Sequence, residues 1–486
     1  MLKQMNDQKM GRNEQNSGKS PPMLWALASL SLSMLLPSLT TSIANIGLPT
    51  LADVFAVSFQ TVQWVVLAYL IAITTLIVSV GRLGDMIGRR RLLLIGIGLF
   101  SAASLICGMV SVLSIQLIAR VFQGLGAAIM MALSMAMVGG TIPKEKTGHA
   151  LGLLGTMSSI GTALGPSLGG MLIATLGWRT IFLINVPLGL VTLLLAYLHL
   201  PADQPMRRSE LSQFDLAGTV CLALALSAYA LSMTLGHGHF GWLNTLLLLG
   251  AMVGVGLFIW VESKVKAPLV NLALFRDKLL CSRLVNSTLV STVLMAMLIV
   301  GPFYLARVFN LSASLVGLIV SIGPMVAALT AAPSGRLVDR LGAQRMAILG
   351  LVGIAVGASL LVLLPTTWGI PGYVVPMAAI TGSYALFQTA NNTSVLVGVS
   401  PDQRGLISGM LNLSRNLGLI TGTAVMGAVF SMASGVKDIT AAQASAVTSG
   451  MQATFSVTVL LIVIAIVIAM ASRFMTLQPG LARDAS

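Results

Sequence analysis

Very few side chains in this chain are placed to do chemistry, and those that are carry positive charge or an amide. Arg120 stands in Leu117-Ile118-Ala119-Arg120-Val121-Phe122-Gln123-Gly124-Leu125-Gly126, among apolar residues and glycines. A cation among apolar residues needs a polar partner or a watery cavity. A second charged constellation is written twice. Gly81-Arg82-Leu83-Gly84-Asp85-Met86-Ile87-Gly88-Arg89-Arg90-Arg91 returns as Gly335-Arg336-Leu337-Val338-Asp339-Arg340-Leu341-Gly342-Ala343-Gln344-Arg345, with six of eleven positions identical. Each copy sets an acid among bases: Asp85 with Arg89, and Asp339 with Arg340 or Arg345.

Nothing else has the makings of an active centre. Cys107, Cys221 and Cys281 fall in or near separate apolar runs, and His149, His199, His237 and His239 form no ligand set, so no metal is expected. Asn16-Ser17-Gly18-Lys19-Ser20 looks like the end of a phosphate-binding loop, but the glycine required five residues before the Gly-Lys pair is Asn13. With no nucleophile and base in register and no cofactor motif, the chain is not expected to be an enzyme.

The elements that position these residues follow from composition. At 56% hydrophobic and 9% charged, the chain lies far from the roughly 25% charged of soluble globules. Its apolar runs are about 20 residues long, enough to cross a hydrocarbon core of about 30 Å as helices. Fourteen are expected, at roughly 23–48, 62–80, 92–112, 114–140, 147–174, 180–200, 216–236, 242–261, 283–304, 313–333, 346–365, 371–395, 405–432 and 452–472. With the first 22 residues cytoplasmic, loops on that side hold 23 of the 28 Lys and Arg. Both termini are therefore expected in the cytoplasm of a cell whose inner membrane the chain spans. The net charge of +14 follows from this loop bias, with membrane lipids rather than nucleic acid as the partner.

The loop phrase repeats at an offset of 254 residues, and a glycine ladder repeats two spans later: Gly148, Gly152, Gly161 and Gly165 match Gly405, Gly409, Gly418 and Gly422 at 257. Small residues at helical spacing let helices approach closely. The expected plan is a tail 1–22, a six-helix half 23–200, linkers with an inserted two-helix hairpin 201–282, a second six-helix half 283–472 and a tail 473–486. The fold class is an all-α polytopic membrane protein with fourteen transmembrane helices.

From about residue 23 to 472 the chain resembles the major facilitator superfamily, in particular its fourteen-span drug:proton antiporter family. The loop phrase resembles the family's cytoplasmic gate, which implies gating roles for Gly81, Asp85, Gly88, Arg89, Gly335, Asp339 and Arg340. The run around Arg120 resembles the fourth-span motif, which implies a central charge tied to proton coupling. Gly161-Thr162-Ala163-Leu164-Gly165-Pro166-Ser167-Leu168-Gly169-Gly170 resembles the antiporter motif, which implies leak prevention by Gly161, Gly165, Pro166 and Gly169. The position matching Pro166 is Thr423, so a kink is expected in one half alone. By the family's architecture Asn45, Gln123, Gln388 and Asn391 line a central cavity.

In one place the sequence departs from the pattern. Where the first-span motif usually carries an acid, Leu39-Thr40-Thr41-Ser42-Ile43-Ala44-Asn45 has Thr40. All fourteen Asp and Glu fall in tails, loops or span ends; Asp53, just past the first span, reads as a loop residue. The resemblance implies a monomeric exporter of amphipathic small molecules, without a cofactor and driven by the proton gradient. The missing interior carboxylates favour neutral or anionic substrates over lipophilic cations. A receptor or scaffold that kept the fold is the alternative of another class.

Overall fold

The computed structural model describes residues 21–77, 79–141, 147–203, 215–235, 241–265, 277–396, 401–435 and 443–477. Both tails, His237 and His239, most of the two linkers and the side chain of Asp85 lie outside the described residues. Each expected apolar run forms helix, as it must where no water is present to pair backbone N–H and C=O groups. The helices are α1 Pro21–Phe55, α2 Trp64–Ile77, α3 Arg89–Met109, α4 Leu113–Thr141, α5 Thr147–Leu176, α6 Asn185–His199, α7 Leu216–Thr234 and α8 Trp242–Lys264. There follow α9 Lys278–Val308, α10 Ala313–Leu341, α11 Ala343–Leu363, α12 Pro371–Leu396, α13 from Pro401–Thr421 through a π-helical turn Gly422–Met426 into Gly427–Ser434, and α14 Ala444–Leu477. Single turns at Phe59–Val62 and Thr180–Leu183 lead into α2 and α6.

Among the described residues, thirteen helices are long and apolar enough to cross a membrane. The remaining run, α12, spans 26 residues, and its amides Gln388, Asn391 and Asn392 dilute its apolar character. Helices reach beyond the apolar runs at several ends, notably in α9 and α10, because they continue past the hydrocarbon core into polar sequence. Successive helices run antiparallel. One end of the bundle, where α1 begins and α14 ends, carries the basic loops and is called here the basic end.

The two copies of the loop phrase fold alike. A helix Val80–Ile87 stops at Gly88, φ +103°, and α3 starts at once; α10 stops at Gly342, φ +88°, and α11 starts at once. The sharp reversal needs a left-handed residue, which glycine adopts without the penalty other residues meet. The copies differ in what satisfies the next helix. At α3 the backbone N–H groups of Arg90 and Arg91 donate to the two carboxylate oxygens of Asp203, at 2.8 and 2.9 Å. Asp203 comes from the stretch after α6 and fills the space a Cβ at Gly88 would take. Arg90 is held further by Tyr197, whose carbonyl accepts from Nη2 at 2.5 Å. Nothing lies within 4 Å of a Cβ at Gly342.

The sequence reading passed over Asp203 as linker, although an acid just beyond α6 and on the side of Arg89–Arg91 was the available signal. Its removal is expected to cost about 1 kcal/mol, as loss of a helix cap does. In Asp203→Ala, hydrogen exchange at the Arg90 and Arg91 amides should speed up about fivefold while the Gln344 and Arg345 amides stay unchanged. Gly88→Ala should destabilise more than Gly342→Ala in thermal unfolding, because only the first must also displace a cap.

Candidate functional site

The halves, α1–α6 and α9–α14, meet at the end opposite the basic loops. The described side-chain bonds and ring contacts that join them directly all lie there. Arg307 Nη2, in the last turn of α9, donates to both oxygens of Asp53 at 2.7 and 2.9 Å. Asp53 is thus a residue of α1 that bridges the halves, which corrects its reading as a loop acid. Its side chain is 52% exposed and that of Arg307 25%, so the pair contributes about 0–1 kcal/mol. That suits a contact that must break and reform. Inward of it, the ring of Phe59 stands edge-on to Phe303 at 4.7 Å and beside Phe430 at 5.2 Å. Gln60 Nε2 donates to Ser431 Oγ, and the Gln63 amide rests on Gly427.

The closest approach between the halves is made by glycine. A Cβ at Gly170 of α5 would strike the carbonyl of Ala313 and lie 3.0 Å from Gly317 Cα; one at Gly317 would strike the carbonyl of Pro166 and lie 2.9 Å from Gly170 Cα. The ladder residues preceding it face the other way. A Cβ at Gly161 would come within 2.6 Å of the Leu35 carbonyl, one at Gly165 within 3.0 Å of Ile43 N, and one at Gly169 within 3.4 Å of Ile43 Cγ2, all on α1. Matching them, Gly418 and Gly422 press on Ser291, Thr292 and Met295 of α9. The antiporter-like motif therefore serves two contacts from two faces of one helix. Gly170, which the sequence reading did not single out, makes the one between the halves.

The expectation that helix irregularity belongs to one half needs correction. Pro166 lies inside α5, while the matching Thr423 lies inside the π-helical turn Gly422–Met426 of α13. Both halves depart from regular α-helix at the same place, one by a missing N–H and the other by an extra residue in the turn.

Arg120 does not open onto a cavity. It is fully buried, against α2 and the turn Thr180–Leu183. Its Nε donates to the Val65 carbonyl at 2.6 Å and its Nη1 to Gln123 Oε1 at 2.6 Å. Gln123 Nε2 donates in turn to Ser104 Oγ at 2.7 Å, and Ser104 to the Phe100 carbonyl at 2.6 Å. The guanidinium lies 4.2 Å from the Tyr69 ring centre and 5.9 Å from that of Phe182. Tyr69 OH donates to the Pro37 carbonyl of α1 at 3.0 Å. Through these bonds one cation ties α1, α2, α3 and α4 together. Carbonyls and ring faces, rather than a carboxylate, offset its desolvation.

The other expected cavity residues divide. Asn45 is buried with neither amide atom paired, and Asn391 is buried with its Nδ2 unpaired. Gln388 is partly exposed and donates to Asn392 Oδ1 at 3.4 Å. Thr40, where the resemblance puts an acid, donates to Asn185 Oδ1 at 3.0 Å and faces α6. Of the gate residues, Arg89 Nη1 donates to the Ala136 carbonyl at 3.4 Å, while Asp339 and Arg340 are exposed.

The inserted hairpin is part of the junction between the halves. Helix α7 is fixed near the opposite end by Trp64 Nε1 of α2 donating to Thr234 Oγ1 at 3.0 Å, and at the basic end by the hydroxyl pair of Thr219 with Ser79, just past α2, at 3.1 Å. It reaches the other half through Tyr229 OH, which donates to Thr421 Oγ1 of α13 at 3.2 Å. The position of α5 matching Thr421 is Leu164, which is 49% exposed. The hairpin thus covers on α13 the face that α5 leaves bare. At its root Asp215 and Glu262 are both buried, with oxygens meeting around Gly218.

The sequence profile of the Major Facilitator Superfamily matches residues 30–423 and 279–483. The multidrug resistance protein Stp of Mycobacterium tuberculosis is 32% identical over 84% of this chain and 75% of its own length. The riboflavin transporter RibZ of Clostridioides difficile is 29% identical over 83% of this chain and 87% of its own. Among solved structures, a bacterial homologue of the human lysosomal transporter Spinster, inward-facing and unoccupied, superimposes with a TM-score of 0.69 at 18% identity, over 94% of this chain and 98% of its own.

Two outcomes follow from the geometry. A methyl at Gly317 overpacks the contact between halves by about 1–3 kcal/mol, enough to shift an open–closed equilibrium about five- to a hundred-fold. In Gly317→Ala, a cysteine placed at Ser431 should label correspondingly faster with an impermeant thiol reagent added at the end opposite the basic loops. Arg120→Lys, whose point charge cannot keep both the carbonyl and the Gln123 bond, should lower the melting temperature and depress flux of every substrate alike.

Proposed function

The chain belongs to the Major Facilitator Superfamily, and on that premise we propose that it exports amphipathic small molecules by alternating access, taking neutral or anionic substrates and drawing on the proton gradient. The observation that carries the substrate class is the placement of charge in the spans. Among the described residues every carboxylate lies within two residues of a helix end or outside the helices, as Asp53, Asp215, Glu262, Asp277 and Asp339 do. Arg120 of α4 and Arg415 of α13 lie inside spans, with Arg283 and Arg307 toward the two ends of α9. A lipophilic cation would find no interior countercharge, whereas an anion or a neutral polar group would.

Orientation supports the direction of transport. The bias of Lys and Arg puts the basic end in the cytoplasm. The ion pair, the ring cluster and the glycine contact then close the outer end, so the arrangement corresponds to a cytoplasm-facing state of the inner-membrane protein. The cycle separates Gly170 from Gly317 and brings the two copies of the loop phrase together. The likeness of Gly161–Gly170 to the antiporter motif supports exchange rather than uptake. The second reading, proton-coupled export of lipophilic cations, draws on relatives named for multidrug resistance and on the buried Asp215 and Glu262. A receptor or scaffold would move nothing.

The test is flux in proteoliposomes under an imposed pH gradient, with three probes built on one ring: naphthalene-1-sulfonate, its neutral sulfonamide, and 1-naphthyltrimethylammonium. Gradient-driven movement of the sulfonate or sulfonamide without the ammonium is expected. Movement of the ammonium alone would establish the cation reading, and absence of all flux would favour the scaffold.

A further inference from the structure

Resting on this reading, we propose that Arg415 is the residue that binds the anionic group of the substrate, in a polar recess of α13 shared with Ser291 of α9. Arg120 is fully buried and bonded to Val65 and Gln123, with its Nη2 unpaired, and Arg283 of α9 donates to the Ser394 carbonyl, whereas Arg415 is partly exposed and makes no such bond. It lies 14 residues beyond Pro401, about 21 Å along the helix, and five residues inside the apolar span Met410–Ser434. It is partly exposed. No described residue makes a hydrogen bond, ion pair or ring contact with it, and its Nε is buried without a partner. A guanidinium at that depth calls for an acceptor.

Comparison of the two halves shows what has been opened. The position of α5 matching Arg415 is Ser158, whose hydroxyl pairs with that of Ser38 on α1 at 2.6 Å. The glycine contacts establish which residue of α9 matches Ser38. A Cβ at Gly161 would lie 3.2 Å from Ser38 Cβ, and one at Gly418 would lie 2.6 Å from Ser291 Cβ. Ser291 is 1% exposed and its hydroxyl has no partner. In the first half the site is shut by two serines bonded to each other. In the second half an arginine replaces one serine and leaves the other unsatisfied. The Ser291 hydroxyl, which can donate or accept, and the Arg415 Nε are each buried without a partner.

The recess faces away from lipid. Thr421 marks the face of α13 covered by the hairpin, and Asn412, nine residues earlier, lies on the opposite face and is exposed. Arg415 sits between Asn412 and the stripe of Gly418 and Gly422 that packs on α9, with Asn416 partly exposed beside it. The matching face of α5 is also open: Ser159 is exposed, and nothing lies within 4 Å of a Cβ at Gly155. A carboxylate or sulfonate on this face can take two parallel bonds from the guanidinium, with Asn412 and Asn416 beside the apolar body of the ligand.

The experiment compares full-length wild type, Arg415→Gln and Arg415→Lys in proteoliposomes with naphthalene-1-sulfonate and its sulfonamide. Loss of a charged hydrogen-bond partner should slow the sulfonate about tenfold or more in Arg415→Gln, leave the sulfonamide and the thermal unfolding midpoint unchanged, and be partly rescued in Arg415→Lys. Unchanged sulfonate flux in Arg415→Gln would overturn the assignment while leaving the function standing. Equal loss of both probes would also overturn it, by making the arginine a packing element. If wild type moves only the ammonium or nothing at all, the function fails and the assignment with it.

Discussion

In a bilayer two helices gain little from the hydrophobic effect by touching, because the lipid they displace is as apolar as their own side chains. What holds this bundle together must therefore come from close packing and from polar bonds, and glycine supplies the first. Gly161 and Gly165 bring α5 onto the backbone of α1, and Gly418 and Gly422 bring α13 onto α9. These contacts tie α5 to α1 and α13 to α9 within each half. Gly170 and Gly317 then let the two halves meet backbone to backbone at one end. The same chemistry thus builds the halves and closes them on each other. The difference is that the contact between halves is flanked by a partly exposed ion pair.

Charge follows from this packing. A span packed by glycine leaves little room for water, so a cation inside it must be satisfied by protein or be offered to a ligand. Arg120 takes the first course, using Val65, Gln123 and the ring of Tyr69. Arg415 has no such partners. The hairpin α7–α8 adds an asymmetry: bonded to α2, to Ser79 just past it, and to α13 at one place, it follows the first half and rests against the second. The junction of α5 with α10 includes the glycine contact and no hairpin, and the junction of α2 with α13 has a helix laid against it.

Much of this was legible in the residues. Apolar runs of about 20 residues dictate helices in a bilayer, and the repeat of Gly81–Arg91 at Gly335–Arg345 gave two halves and the turns at Gly88 and Gly342. The glycine ladder foretold tight packing of α5 and α13, but not that Gly170 faces the other half, because helical phase tells which residues share a face and not what that face meets. Asp203 and Asp53 read as linker and loop residues for the same reason: their partners are distant in sequence, and an acid near a span end reads as solvated. The π-helical turn at Gly422 left no mark comparable to Pro166. Arg120 was recognised as needing partners, but whether carbonyls or a cavity would supply them depends on three other helices.

The most direct test of rocking halves is double electron–electron resonance between spin labels on each half, at both ends of one protein. Labels at Val54 and Ser312 report the end opposite the basic loops, and labels at Arg91 and Leu341 the basic end. Alternating access predicts that substrate and a pH gradient lengthen the first distance and shorten the second together, with two populations exchanging. Single distributions at both ends, unmoved by substrate or gradient, would contradict it and leave a fold that holds still.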